Sequence, residues 1–302
     1  MPGCPGLFQN VSDPCRHQCV MRIVIDCEPL KHRRAGVGTY VWQLLQHLVQ
    51  LDFSNEYICF CNSFRRRFLS DLSELHLPQV KRVICRLPSR LLYRMWGSDL
   101  SRLLPVDRLT GAFDIFHYTN HLSSYQRGGQ SVITVYDLSI LRYPQSHPLR
   151  RRFALSASRI RWSLERATVV LTLSAFTKQE VTALLGINPN RIWVTPLGVG
   201  PEFLSASTED GAGERLARYG IRQPFILCVA TLEPRKNLSR LVQAYQRARQ
   251  RLRLPHQLVI VGMRGWLWKE VFRTVHRLRL ERDVVFTAVS YTHLTLPTKR
   301  IV

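Results

Sequence analysis

Short apolar runs alternate with longer amphipathic segments along most of the chain. The first run, MRIVID at residues 21–26, has the length and the Val/Ile content of a buried strand. Residues 38–50 follow, with Val41, Leu44, Leu45 and Leu48 at helical spacing. We therefore predict a strand and then a helix, which is the start of an α/β unit.

The same alternation continues through the N-terminal two thirds of the chain. We predict strands at residues 57–60, 80–87, 113–117, 131–135, 168–173 and 191–195, and helices at 150–166 and 174–185. Strands that alternate with helices in this way build a mostly parallel sheet covered on both faces.

A change in composition at residues 199–223 separates a second α/β series. The segment is rich in Gly, Ser, Pro and acidic residues, which favours a linker followed by a short helix. Beyond it the pattern predicts strands at 225–230, 257–262 and 283–287, and helices at 237–251 and 266–278. The predicted fold is α/β, with two Rossmann-like, doubly wound domains that face a cleft. They cover residues 21–198 and 224–287, the second domain being incomplete.

The two ends of the chain differ from these domains. Residues 1–20 lack the continuous apolar stretch of a signal peptide, so we predict an upstream extension or a misassigned start. We predict that residues 288–302 are a non-native tail, because VSYTHLTLPT at 289–298 resembles a translated sequencing-library adapter. No apolar run approaches the roughly 18 residues of a membrane-spanning helix.

Cysteine spacing bears on compartment and metal content. Cys27, Cys59, Cys61, Cys85 and Cys228 lie in or beside apolar runs, which favours buried, reduced thiols and a cytoplasmic protein. The pattern Cys15-x-His17-x-Cys19 lacks a second ligand pair at zinc-site spacing, so we expect no metal.

The net charge indicates an anionic partner. Lys and Arg number 43 against 21 Asp and Glu, a formal net charge of +22. Nucleic acid, a phosphorylated metabolite and an acidic membrane surface all fit such an excess. No helix-turn-helix, zinc-finger or aromatic RNA-binding signature accompanies it, so nucleic acid is the weaker choice. The basic residues of segment 150–166, with 65–67 and 31–34, are candidates for anionic lipid; a solvated helix face is the alternative.

An Arg–Lys pair stands where the second domain begins. Arg235 and Lys236 follow the apolar run FILCVA and precede Asn237, a good helix N-cap before Leu238. A strand-to-helix loop of this kind offers backbone N–H groups and the positive end of a helix dipole to an anion. The spacing predicts a diphosphate site, and the alternative is a solvated pair in contact with Glu233.

Several ordered motifs resemble one enzyme family. TLEPRKNLSRLVQAY, with PLGVGPEF upstream and LVIVGMRGW downstream, is similar to the C-terminal half of retaining glycosyltransferases of the GT-B fold, family 4. IDCEPLKHRRAGVGTYVWQLLQHL, DIFHYTNHLSS and LTLSAFTKQEV resemble segments of its N-terminal half. The likeness covers residues 21–287.

The resemblance implies a set of site residues. Arg235 and Lys236 would bind the diphosphate of a nucleotide-sugar donor, with Glu233 and Gly262 as further substrate contacts. The glycine loop at Gly36 and Gly38 would lie at the cleft; the bland alternative is a tight turn that needs a glycine at positive φ. With two cations on the leaving group, no metal is expected.

Two features depart from the family. Tyr136 stands where a His is common in the His-Asp pair, and as a phenol it is a poorer proton shuttle than His at neutral pH. We predict that Tyr136 contacts the transferred sugar and that Asp137 either contacts substrate or braces its loop. His117, Asn120 and His121, at the end of another predicted strand, are further candidates for substrate contact, with a structural role as the alternative. The glutamate pair of the family's second domain is missing, so the chain as printed is expected to be an inactive fragment.

The resemblance thus implies a hexosyltransferase that moves a sugar from a nucleotide diphosphate donor to an acceptor hydroxyl with retention. The acceptor would be a carbohydrate or lipid-linked, in cell-surface polysaccharide or glycolipid synthesis. A cytoplasmic location follows, with a peripheral position at the inner face of the membrane as a further hypothesis. The alternatives are a basic nucleic-acid-binding protein and a catalytically inactive partner subunit.

Overall fold

The computed structural model describes residues 20–31, 36–62, 80–200 and 212–287. Several predicted features lie outside these ranges. They are nearly all of the N-terminal extension, the basic residues at 32–34 and 65–67, positions 201–211 of the linker, and the tail at 288–302.

The described residues form two sheets. The strands are β1 (Arg22–Asp26), β2 (Glu56–Asn62), β3 (Val80–Cys85), β4 (Ile115–Tyr118), β5 (Gln130–Val135), β6 (Val169–Thr172), β7 (Ile192–Val194), β8 (Phe225–Val229), β9 (Gln257–Val261) and β10 (Val284–Thr287). Their order is β3-β2-β1-β4-β5-β6-β7 in the first sheet and β10-β9-β8 in the second. β1 pairs in parallel with β2 and β4, and β9 with β8 and β10. The predicted α/β class with parallel sheets is confirmed.

Helices connect these strands. They are α1 (Val37–Leu51), α2 (Ser89–Met95), α3 (Asp107–Thr110), α4 (Ser139–Arg142), α5 (Leu149–Ala154), α6 (Ala157–Arg166), α7 (Ala175–Leu185), α8 (Ala212–Arg218), α9 (Leu238–Leu252) and α10 (Lys269–Arg277). The stripe predicted on α1 packs as expected, with Val41 and Leu45 fully buried against β1 and β2. Helix α7 begins where Ser174 accepts a hydrogen bond from the Thr177 N–H (3.1 Å) and ends at Gly186 in the left-handed conformation.

The predicted helix at 150–166 is wrong as one element. Helix α5 ends at Ala154, and α6 begins after Ser156, whose carbonyl accepts from the Ile160 N–H (3.0 Å). Serine favours such helix starts because it competes with the helix interior for backbone hydrogen bonds. The break rotates α5 relative to α6. A single helix over 150–166 would place Phe153 and Ile160, seven residues apart, on one face, but Ile160 is buried and Phe153 is 78% exposed.

Strand β8 also differs from expectation. The run FILCVA predicts a buried strand, but Leu227 is 55% and Val229 62% exposed. Among the described residues β8 lies at the edge of the three-stranded sheet, with no strand paired to its other side. By contrast, the central strand β9 buries Leu258, Val259 and Ile260 completely. Cys228 is accordingly only half-buried, whereas the other four predicted thiols are buried, and within the described residues none of the five forms a disulfide.

The N-termini of α9 and α10, which pack on the second sheet, also differ from the prediction. Asn237 precedes α9 as expected, but with φ +52 it caps the helix through its carbonyl alone, without a side-chain hydrogen bond. Helix α10 starts at Lys269, three residues later than predicted, and Leu267 before it has a positive φ of 55. A left-handed residue interrupts a helix, so the first turn cannot extend back to Trp266.

The chain divides into two compact units. One contains Met1–Thr134 and Trp162–Val170, and the other contains Val135–Arg161 and Leu171–Val302. The domain limits predicted from composition remain predictions. Across the described ranges, no helix is both long and apolar enough to cross a bilayer.

Candidate active site

The Arg–Lys pair lies in a short loop at the carboxyl end of β8. The strand ends at Val229, a 3₁₀ turn covers Pro234–Lys236, and α9 begins at Leu238. Leu238, Val242 and Tyr245 bury one face of α9 in the core of this sheet. Because that face is fixed by packing, the loop is presented at the sheet edge where parallel α/β folds bind ligands.

Arg235 is held by two carboxylates. Its Nε and Nη2 donate to Glu233 Oε1 at 2.9 and 2.8 Å, and its Nη1 donates to Asp137 Oδ2 at 2.9 Å. The Glu233 side chain is only 4% exposed and that of Asp137 is 48% exposed. Burial disfavours the cation, but hydrogen bonds and charges from Glu233 and Asp137 outweigh it and raise the pKa of Arg235. The two carboxylates therefore more than offset the charge of this arginine.

Asp137 also braces its own loop. Its Oδ1 accepts from the Ser139 N–H (2.9 Å) and from Ser139 Oγ (2.6 Å), which is an Asx-type turn at the start of α4. Arg235 Nη1 lies 3.3 Å from Ser139 Oγ. Asp137 therefore braces its own loop through Ser139 and also pairs with Arg235. Its predicted contact with substrate stays a prediction.

His147 and Trp266 adjoin this cluster and were not foreseen. His147 Nε2 lies 3.2 Å from Ser139 Oγ, and the His147 ring stacks on Trp266 at 5.6 Å between centroids. Trp266 Nε1 donates to the Ser146 carbonyl (2.8 Å). Burial, then the charges of Arg151 and Arg235, lower the pKa of His147, so its imidazole is neutral at neutral pH. The position of Trp266 shortly after the end of β9 is the sequence signal that could have indicated its place near the site.

Lys236 differs from its neighbour. Its side chain is exposed, and among the residues that the structure describes no carboxylate pairs with it. Its charge acts on the half-buried Cys228 thiol, whose pKa is raised by burial and lowered by Lys236 to a smaller extent. The two adjacent cations therefore differ. Arg235 is compensated, which means that carboxylates balance its charge, whereas Lys236 is uncompensated.

Gly262 has a packing reason to be glycine. A Cβ at this position would lie 1.8 Å from the Ala230 carbonyl oxygen and 2.6 Å from its carbon. The Gly262 N–H donates to the Thr287 carbonyl (3.1 Å). The residue thus lets the chain segments after β8, β9 and β10 approach closely. Its predicted contact with substrate stays a prediction.

Tyr136 is partly exposed at the end of β5, and its carbonyl accepts from Thr177 Oγ1 at 3.4 Å. A contact between its phenol and a sugar stays a prediction. Of the residues predicted in this unit, the structure brings Asp137, Glu233 and Arg235 into direct contact.

The remaining predicted residues belong to the other unit. Gly36 has φ +53, a conformation that favours glycine, and Gly38 is buried in the first turn of α1. His117 is buried, contacts Thr134 Oγ1 at 2.8 Å, and has a pKa lowered to about 4 by burial. It is therefore a neutral core histidine. Asn120 and His121 are partly exposed in the loop after β4.

No group of three or more His, Cys, Asp or Glu side chains in the described part of the chain is arranged to hold a metal ion. The expectation that the reaction needs no metal is not tested by this observation.

Solved structures define the class of the fold. HepE from Anabaena, in complex with UDP-glucose, superposes with a TM-score of 0.61 at 15% identity, covering 89% of this chain and 69% of HepE. WaaG, a glycosyltransferase involved in lipopolysaccharide biosynthesis, superposes with a TM-score of 0.60 at 12% identity, covering 90% of this chain and 70% of WaaG. The fold is GT-B, as predicted.

Sequence comparison places the chain within that class. The O-antigen chain mannosyltransferase B of Escherichia coli is 28% identical over 264 residues, which is 84% of this chain and 68% of that protein. The profile of Glycosyltransferase Family 4 matches residues 34–203, more than half of the chain. The chain belongs to Glycosyltransferase Family 4.

Proposed function

We propose that this protein transfers a hexose, and specifically a mannosyl unit, from a nucleotide diphosphate donor to a hydroxyl of a carbohydrate or lipid-linked acceptor during synthesis of a cell-surface polysaccharide. The observation that carries the proposal is the uncompensated cation Lys236 in the loop that precedes α9, within a chain of this family. The relative at 28% identity is a mannosyltransferase of O-antigen chains, which supports the sugar and the product class. The complex of HepE with UDP-glucose supports a nucleotide-sugar donor.

The loop suits a leaving diphosphate. As the bond between the sugar and the diphosphate breaks, negative charge grows on the phosphate oxygens. Lys236 offers a point charge to those oxygens, and the N-terminus of α9 adds its partial positive charge. Groups that are already oriented toward developing charge lower the barrier most.

Arg235 acts differently in this proposal. Its guanidinium is fixed by Glu233 and Asp137. It would therefore donate a hydrogen bond to the diphosphate from this fixed position, without a change of side-chain rotamer. The neighbouring carboxylates also repel a dianion, which makes Lys236 the main electrostatic contact. Tyr136 would donate a hydrogen bond to a hydroxyl of the transferred sugar. Retention of the anomeric configuration is proposed from the family resemblance.

The reaction is tested by product formation in the full-length protein. A donor panel that includes GDP-mannose and UDP-glucose is incubated with and without an acceptor saccharide, and free nucleoside diphosphate is measured. We expect release only when the acceptor is present, with a new glycoside of unchanged anomeric configuration in its NMR spectrum. Release without acceptor contradicts the proposal. Donor binding with no release for any donor and acceptor pair favours an inactive partner subunit.

Asp137→Asn gives a prediction about electrostatics at the loop. The change removes one of the two negative charges on Arg235 while Glu233 still holds the guanidinium. We expect nucleoside diphosphate to bind about 3- to 10-fold more tightly at low salt, with the gain shrinking as salt screens the charges. Isothermal titration calorimetry at two ionic strengths measures it.

The matched control is Glu270→Gln, which removes an exposed charge on α10 that pairs with Arg273. It is expected to leave the affinity unchanged. Weaker binding in Asp137→Asn would instead show that the carboxylate serves the donor by orienting Arg235.

A further inference from the structure

Helix α5 and the turn before it expose an apolar cluster. Tyr143 is 57%, Leu149 65% and Phe153 78% exposed. Single exposed apolar side chains are ordinary on protein surfaces, but a contiguous group marks an interaction site. Leu149 and Phe153 lie four residues apart on α5 and line one pocket together, and Tyr143 precedes Leu149 by six residues in the chain.

The cluster continues into a shallow apolar pocket. The pocket has a volume of about 290 Å³ and lies beside α4 and α5. Its lining is mostly apolar, with one cation, and consists of Ile140, Leu141, Pro144, Leu149, Arg152, Phe153, Leu155 and Ser156. This lining suits a partner that offers apolar groups together with a negative charge.

The charge around the cluster is of one sign. Residues 138–164 contain six arginines and no aspartate or glutamate. Arg151, Arg152 and Arg161 are exposed, whereas Arg142 is paired with Glu180 at 2.8 Å. Exposed cations interleaved with exposed aromatic and aliphatic side chains are typical of surfaces that bind anionic membranes.

We propose that the segment from Tyr143 to Phe153 docks on an anionic phospholipid bilayer. Leu149 and Phe153 would insert among the acyl chains just below the headgroups, and Arg151 and Arg152 would bind lipid phosphates. A nucleic acid could bind the same arginines, but it has no aliphatic groups that would fill the apolar pocket. An anionic lipid has both a phosphate for the arginines and acyl chains for the apolar side chains.

Docking here has a consequence for the site. The same segment carries Ser146 and His147, which contact Trp266, and Arg151 lies 5.5 Å from the Trp266 ring. A bilayer at α5 would therefore bring a lipid-linked acceptor near the Arg235 cluster. That consequence rests on the proposed function, whereas lipid binding itself does not, so each can fail without the other.

Vesicle co-sedimentation of the 302-residue protein tests the proposal. The vesicles contain phosphatidylcholine alone or with phosphatidylglycerol. We expect binding to the anionic vesicles only, and a loss of about tenfold or more in both Leu149→Ser/Phe153→Ser and Arg151→Gln/Arg152→Gln. Leu149, Phe153 and Arg152 are exposed, so their replacement should leave thermal unfolding unchanged. Arg151 is also exposed but lies over the Trp266 ring, so circular dichroism and thermal unfolding check that Arg151→Gln/Arg152→Gln keeps the fold.

Matched controls separate this surface from the general charge of +22. Leu252→Ser removes an apolar side chain that is 68% exposed on α9, and Arg273→Gln/Arg277→Gln removes two basic side chains on α10. Both are expected to bind as the wild type does. Equal loss in patch and control variants, unchanged binding in the patch variants, equal binding to neutral vesicles, or self-association that depends on Phe153 would each overturn the proposal.

Discussion

Lys236→Ala is expected to lower kcat/KM for the nucleotide-sugar donor by about 10²- to 10³-fold in the full-length protein. The estimate follows from the loss of one oriented electrostatic contact to a charge that develops in the transition state. Lys236 is exposed and pairs with no carboxylate in the part of the chain that the structure describes. Its removal should therefore leave the free energy of unfolding unchanged. Steady-state kinetics and denaturant unfolding measure the two quantities.

Arg235→Ala is the informative comparison. It leaves Glu233, with a side chain only 4% exposed, without its cation. We expect a loss of about 1–3 kcal/mol in stability together with reduced activity. The double variant Arg235→Ala/Glu233→Gln should recover the stability but not the activity. If Lys236→Ala were as active as the wild type while Arg235→Ala lost activity without losing stability, the division of roles would be wrong.

Gly262→Ala is expected to cause the largest loss of stability in the second sheet. The added methyl carbon would overlap the Ala230 carbonyl, because it would lie 1.8 Å from the oxygen. Neither the Cβ nor the carbonyl oxygen can move away by rotation of a side chain. The ends of β8 and β9 would have to separate, which breaks the Ala230 N–H bond to the Val261 carbonyl (2.9 Å). We expect about 3 kcal/mol or more of destabilisation by urea unfolding.

Gly213→Ala is the matched control for that prediction. Gly213 lies in α8, where an added Cβ would meet no described atom outside its own helix backbone and chain neighbours within 4 Å, so alanine should be neutral or stabilising there. Wild-type stability in Gly262→Ala would show that the two strand ends are not held together as the structure has them.

Most helices and strands were predictable because the residues that determine them lie within or next to each element. Helix α7 has a Ser before it and a Gly after it, and the apolar spacing of α1 leaves one phase for its buried face. The break at Leu155 was missed because Ile160, Leu164 and Phe153 fit one helical stripe on paper. The exposure of β8 was missed because an apolar run does not show whether a strand is central or at the edge.

The site was predictable only in part. The position of Arg235 and Lys236 follows from a strand-to-helix loop, which is a local feature. The pairing of Arg235 with Asp137 joins residues 98 positions apart, and no periodicity encodes it. The same holds for Trp266 and the Ser146 carbonyl, 120 positions apart. Contacts of this kind decide that Arg235 is compensated and Lys236 is not.

Calorimetric titration of a nucleotide sugar into the full-length protein tests most directly whether the Glu233–Asn237 loop binds the donor diphosphate. The account predicts that Arg235→Ala/Lys236→Ala weakens the affinity by at least about 100-fold, that most of this loss appears in Lys236→Ala alone, and that the exposed Lys269→Ala on α10 binds normally. An affinity in the double variant equal to that of the wild type would contradict it.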